Sequence, residues 1–136
     1  MSTHAVFTRP LRVYWEDTDA GGIVFYANYL KFFERARTEW LRSLGVSQRA
    51  LREATGGMFV VGETSVRYLR PARLDDELLV TAQLEAAGRA SLIIAQTARR
   101  DGELPAEGTI RIGWVDAETL RPGRIPADIL QVLNKE

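Results

Sequence analysis

The sequence predicts an α+β fold, with one long helix packed on one face of an antiparallel sheet of about five strands. Three observations carry that expectation. Apolar residues recur at spacings of three and four along one long stretch near the start of the chain. From Met58 onward the pattern changes to alternation of apolar and polar positions. The alternating stretches are divided by short glycine-containing turns, which join neighbouring antiparallel strands. With 136 residues and no linker, repeat or low-complexity tract, residues 1–136 form a single domain.

Taken in order, Arg12 to Trp15 is a short β-prone segment. It breaks at Glu16-Asp17-Thr18-Asp19-Ala20-Gly21-Gly22, a polar, glycine-rich turn. The spacing predicts a long helix from Val24 or Tyr26 to Leu44. Tyr29, Phe33, Ala36, Trp40 and Leu44, flanked by Leu30 and Leu41, form its apolar stripe. Lys31, Glu34, Arg35, Thr38, Glu39 and Arg42 lie on its outer face, and Gly45 stands where a helix-ending glycine belongs. Ser47 caps a short second helix that runs to Ala54 and ends at Gly56-Gly57. Met58 to Tyr68 reads as a strand bent at Gly62. Pro71 interrupts the pattern before a strand from Leu78 to Glu85. Ala87-Gly88-Arg89 turns the chain into the strand Ser91–Arg100, and Asp101-Gly102 is a hairpin signal. Ile110, Ile112 and Trp114 alternate along the last strand, which runs to Val115. Pro126 opens a terminal helix through Leu133.

Composition narrows the chemistry. There are no cysteines, so disulfides, thiolate metal sites and a cysteine nucleophile are excluded. Lys+Arg and Asp+Glu both number 18, and the absence of a basic excess argues against a nucleic-acid partner. No signal peptide and no membrane-spanning run is apparent, so the expectation is a soluble, cytoplasmic protein. The single histidine, His4, falls in an apparently loose N-terminal tail. A Ser-His-Asp triad or a histidine zinc site has no support, and no metal or redox cofactor is expected. Catalysis in this chain has to rest on carboxylates, backbone amides, hydroxyls, Lys or Arg.

Residues 12–45 hold the ingredients of a site. Glu16, Asp17 and Asp19 precede Gly21 and Gly22, and a helix starts directly afterwards. Taken alone, the pattern also fits a polar turn whose acids favour a helix N-terminus. A site would use a carboxylate beside unsatisfied helix N–H groups, with Gly22 letting a ligand approach the backbone. Such amides bind a carbonyl oxygen or a developing oxyanion.

The run T-D-A-G-G-I-V at Thr18–Val24, Y-A-N-Y at Tyr26–Tyr29 and F-E-R-A-R-T-E at Phe33–Glu39 resembles the signature of the 4-hydroxybenzoyl-CoA thioesterase family. It is most similar to the branch associated with the Tol–Pal system of Gram-negative bacteria. V-R-Y-L-R-P-A-R-L-D-D-E-L at Val66–Leu78 and I-G-W-V-D at Ile112–Asp116 extend the likeness over nearly the whole chain. The resemblance implies a hotdog fold, a long central helix wrapped by a curved antiparallel sheet. It implies homodimers or homotetramers with active sites between subunits. It also implies an acyl-CoA thioesterase that takes coenzyme A or an acyl-carrier-protein as donor.

The family's catalytic aspartate falls on Asp19, and its carbonyl-polarising amide on Tyr26. Tyr26 is also a departure: many members of that branch carry histidine there, so no mechanism that needs that histidine transfers. Asp19 is then either a nucleophile that forms a mixed anhydride or a base that activates water. Val24, Tyr29, Phe59 and Val61 are candidates for an acyl pocket, with core packing as the alternative for each. Glu34 is a second candidate carboxylate, against a solvated residue or an ion pair with Lys31, Arg35 or Arg37. Glu16 and Asp17 read as turn residues. Arg67, Arg70 and Arg73 are a spaced basic set that either binds coenzyme A phosphates or faces solvent. A non-catalytic acyl-CoA or acyl-carrier-protein binding module is the competing reading. A hydratase is disfavoured because His4 is the only histidine.

Overall fold

The computed structural model describes residues 4–134. Its elements are β1 (Phe7–Arg12), α1 (Asn28–Ser43), α2 (Gln48–Thr55), β2 (Gly57–Tyr68), β3 (Glu77–Ala87), β4 (Ser91–Arg100), β5 (Glu103–Asp116) and α3 (Ala127–Asn134). The strands form one sheet in the order β1-β3-β4-β5-β2, and each neighbouring pair is antiparallel. The α+β expectation therefore holds, with β1 and β2 at the edges.

The aromatic stripe of α1 makes the core. Phe32, Phe33, Ala36, Trp40 and Leu41 are buried against Leu78, Val80, Ala82 and Leu84 of β3, Leu92 and Ile94 of β4, and Ile110 and Ile112 of β5. Each large side chain sealed in this way contributes about 1.5–3 kcal/mol. Local signals act where the residues demand them. Ser47 Oγ accepts the Ala50 N–H at the start of α2, and Gly56 ends that helix with φ +75°. The β2 register shifts between Val61 and Glu63, so Gly62 marks the bend. Asp101 and Gly102 both have positive φ, the geometry a two-residue hairpin between β4 and β5 requires. At Gly57 a Cβ would lie 2.2 Å from the Trp114 ring, so β2 can pass that ring only as glycine.

Some expectations need correction. The first strand is Phe7–Arg12, paired with β3, and not Arg12–Trp15. Val13 turns fully into the core and donates its N–H to Asp76, while Tyr14 and Trp15 enter a short 3-10 turn and stay exposed. The long helix begins at Asn28 and not at Val24 or Tyr26, because Ile23 and Val24 are held in extended bridges and the Phe25 N–H is taken by the Asp17 carbonyl. Leu30 is exposed, whereas Arg37 is buried. His4 is not loose: its carbonyl accepts the Gln83 side-chain amide of β3 at 2.6 Å. Among the described residues, no helix is long and apolar enough to cross a membrane.

Candidate active site

The chain between β1 and α1 is tied down by its own backbone. The Asp19 N–H donates to Ile23 O (2.9 Å), and Gly22 N–H donates back to Asp19 O (3.0 Å), closing a tight turn. Gly22 has φ +77°, a conformation that a side chain would strain. Oδ1 of Asp19 accepts the Gly21 N–H at 2.8 Å. The carboxylate is thus fixed on the turn, and the residue is solvent-exposed.

Asp17 joins this turn to the helix. Its carbonyl accepts the Phe25 N–H (2.9 Å) and the Asn28 side-chain amide (2.8 Å), while its carboxylate accepts the Tyr14 N–H (2.9 Å). Asp17 is therefore a structural residue, as the sequence suggested. Ala27 is the helix N-cap and offers no side-chain cap. Among the described residues, neither the Tyr26 nor the Ala27 N–H has a protein acceptor. The start of α1 thus presents free donors at the positive end of the helix dipole.

A second loop supports the turn from behind. Val24 N–H donates to Ala72 O (2.8 Å), Leu74 N–H donates to Gly22 O (3.2 Å), and Ile23 bridges Arg73. The loop is itself clamped. Asp76 Oδ2 accepts the Arg73 N–H (2.8 Å) and Arg100 Nη1 (2.5 Å), and Arg100 also donates to Pro71 O (3.1 Å) and Glu103 (2.8 Å). Desolvation pushes the Asp76 carboxyl up, but the Arg73 N–H and the Arg100 hydrogen bond and charge outweigh it and hold it below its ordinary value. Sequence reading missed this clamp. Pro71 alone marked the break there, and the partner of Asp76 lies on another strand.

Beside the helix start lies a cavity of about 250 Å³, bounded by Val24, Tyr26, Tyr29, Tyr68, Leu69 and Arg70. Tyr68 meets Tyr26 edge-on at 6.0 Å and Tyr29 at 5.7 Å. Tyr29 is buried, which pushes its phenol up, and the Ala72 N–H bonded to it acts the other way. Of the sequence candidates, Val24, Tyr26 and Tyr29 line this cavity, while Asp19 and Gly22 sit on the turn that leads into it and are not among its lining residues. Phe59 lies at the opposite end of β2, packed on Trp114 at 5.0 Å, and does not line this cavity within one protomer. Val61 and Glu34 line a separate groove between α1 and β2. Glu34 is exposed and has no ion-pair partner among the described residues, which fits the solvated residue rather than the ion pair with Lys31, Arg35 or Arg37. Arg67 pairs with Glu107 and Arg70 with Glu103, and Arg73 is exposed.

Residues 13–133 match the model of the thioesterase-like superfamily. The acyl-CoA thioesterase YbgC of Haemophilus influenzae is 39% identical, covering 90% of this chain and 90% of its own. The acyl-CoA thioester hydrolase YbgC of Escherichia coli O157:H7 is 40% identical over 92% and 93%. A probable thioesterase from Bartonella henselae superposes with a TM-score of 0.84 at 30% identity, covering 90% of this chain and all of that one. By sequence, and by a fold whose single long helix lies on a five-stranded antiparallel sheet, the chain belongs to the thioesterase-like superfamily of hotdog proteins.

Proposed function

We propose that this protein is an acyl-CoA thioesterase in which Asp19 is the catalytic carboxylate and the Tyr26 N–H polarises the thioester carbonyl. One observation carries the reading. A carboxylate is fixed on a turn that leads into α1, where the Tyr26 and Ala27 N–H groups just before the helix have no protein acceptor among the described residues, next to an aromatic-walled cavity. The named activities of relatives that match along nine-tenths of their length support it.

The carbonyl oxygen accepts the Tyr26 N–H, and the helix end stabilises the charge that develops as the carbonyl carbon becomes tetrahedral. One such donor is worth about 3–4 kcal/mol in other enzymes. Gly22 leaves the backbone open on the substrate side, and Val24 and Tyr29 form the floor of the cavity. Asp19 either attacks the carbonyl, expelling the thiolate and leaving a mixed anhydride for water to open, or removes a proton from an attacking water. A thiolate is a good enough leaving group to depart without a histidine acid. Single turnover in oxygen-18 water separates the routes, because only the anhydride route places label in the Asp19 carboxylate.

The working unit in this reading is a homodimer, paired further into a tetramer. β2 is an edge strand of 12 residues with Val61 exposed at its middle, a template for antiparallel pairing with a second copy. Pairing there brings the Phe59 and Val61 of one copy toward the other copy's site. Coenzyme A is the donor in this reading.

Thiol release from short-chain, long-chain and aromatic acyl-CoAs by wild type and Asp19→Asn tests the proposal. We expect a loss of about a hundredfold or more, some 2.7 kcal/mol of barrier, in a folded variant of unchanged oligomeric state. An active variant would move the chemistry to Glu34. A wild type inert on every coenzyme A ester and on acyl-carrier-protein esters would leave a binding module.

A further inference from the structure

Arg37 is a buried charge without a counter-ion. It is 8% exposed, and no carboxylate lies within salt-bridge distance among the described residues. Its Nη1 donates to Gln96 Oε1 at 2.9 Å. Gln96, 1% exposed, is itself held by the carbonyls of Phe33 (3.0 Å) and Thr81 (3.2 Å). Burial pushes the guanidinium down from its ordinary value, and the nearby charge of Glu34 opposes this only in part. Yet among the described residues no buried side-chain nitrogen or oxygen lacks a partner. The remaining Arg37 donors, Nε and Nη2, are therefore not sealed in the core. Arg37 lines a groove of about 520 Å³ between α1 and β2, the open space next to these donors.

That groove has apolar walls from Leu30, Val61 and Ile110. Its charged residues besides Arg37 are Lys31, Arg35 and Glu34, so it is positive on balance. Its volume falls within the roughly 300–1,000 Å³ of small-molecule sites. It shares no lining residue with the cavity beside Tyr26, but it lies next to that cavity along the same two elements, α1 and β2. Tyr68 of β2 flanks Tyr26, Val61 of the same strand flanks the groove, and Leu30 lies one helical turn beyond Tyr26.

We propose that this groove receives the far end of the acyl group and that Arg37 binds a carboxylate there, making ω-carboxyacyl thioesters the preferred substrates. This rests on the thioesterase reading above. A planar guanidinium with two free donors fits a carboxylate in bidentate fashion, and the apolar walls suit the methylene chain. Length follows from the helix. Arg37 is eleven residues beyond Tyr26, or about 16 Å along the axis, and its side chain slants back toward the helix start. The span from carbonyl to guanidinium is then on the order of 10 Å, which a medium-length linear chain bridges.

The test uses non-hydrolysable thioethers, S-carboxyalkyl-CoA and S-alkyl-CoA of equal chain length, titrated calorimetrically into the intact protein. Wild type should bind the carboxylated analogue about tenfold tighter or better. Arg37→Lys, which keeps the charge but loses the fork, should reduce that preference to about twofold. Thr64→Glu, in a variant of unchanged oligomeric state because Thr64 lies on β2, sets a carboxylate in the groove without touching the Arg37–Gln96 bond, and should abolish the preference even if the Arg37 variant fails to fold. Equal affinity of wild type for both analogues, or a preference that survives in folded Arg37→Lys or Thr64→Glu, overturns the proposal. Because the readout is binding, loss of the hydrolysis reading alone would leave a carboxylate preference intact and be recognised as such.

Discussion

Arg37 and Arg100 both reach into the body of the molecule, and the fold treats them in opposite ways. Arg100, at the end of β4, is met by the carboxylates of Asp76 and Glu103 and by the Pro71 carbonyl. Arg37, deeper under α1, is met by one neutral amide. In low dielectric an unpaired charge is far more costly than an unpaired neutral group. The difference shows which contact serves the scaffold. The Arg100 fork makes three hydrogen bonds, two of them to Pro71 and Asp76 in the loop behind Gly22–Val24 and one to Glu103 at the start of β5. The Arg37 fork is left partly open, and its open side faces a groove. One arginine braces the loop behind the Asp19 turn, and the other keeps donors that no protein group is seen to take.

The sharpest way to break this comparison is at Gln96. Gln96→Leu removes the one partner Arg37 has and leaves a buried charge unmatched, which costs about 3–5 kcal/mol. The double variant Arg37→Met/Gln96→Leu replaces the pair with apolar groups and should recover most of that loss. Urea unfolding of both variants measures the two quantities. A Gln96→Leu protein within about 1 kcal/mol of wild type would mean that water alone satisfies Arg37.

The same contrast explains what was legible in the sequence. The α1 stripe, the Gly62 bend, the Ser47 cap and the Asp101-Gly102 hairpin are set within a few residues, and each was readable from local spacing. The Asp19 turn was readable too, since Gly22 and the helix start lie beside it in sequence. Arg37 could not be placed, because a charged residue in a charged helix run reads as solvent-facing. Only Gln96, 59 positions away, gives it a reason to be inside. The Asp76–Arg100 clamp is hidden likewise, by 24 positions and a strand exchange. The strand read at Arg12–Trp15 failed for a related reason. Val13, Tyr14 and Trp15 have strand-forming side chains, but the Asp17 carboxylate captures the Tyr14 N–H and turns the chain.

Arg100→Met should have a smaller effect on stability, about 2 kcal/mol, because both Arg100 and Asp76 retain some solvent contact. Its signature lies in kinetics. Loosening the 70–76 loop shifts the strand residues that fix Asp19, so kcat should fall about tenfold while affinity for the carboxyalkyl analogue stays near wild type. Arg37→Lys should show the reverse, with affinity changed and kcat on plain alkyl esters little altered. An Arg100→Met enzyme that is destabilised but keeps its kcat would show that the clamp does not reach the turn.

The mildest effect is on acid stability, and it separates the arginines again. The folded-state value of Asp76 lies below its unfolded value, the Arg73 N–H and Arg100 prevailing over desolvation. The stabilisation is therefore fully present above about pH 4, the unfolded carboxylate value, and is lost as pH falls through the lower, folded value. Asp116 is held low by the Thr119 and Glu118 amides and contributes in the same range. Asp76→Asn should lower stability at neutral pH and flatten its decline below about pH 4, leaving the Asp116 part of the slope. Gln96→Leu should shift the whole curve down without changing that slope, since no carboxylate is paired with Arg37. Unfolding free energies measured across the acid range decide it: an unchanged acid slope in Asp76→Asn would mean that the Arg100 clamp is already open in solution.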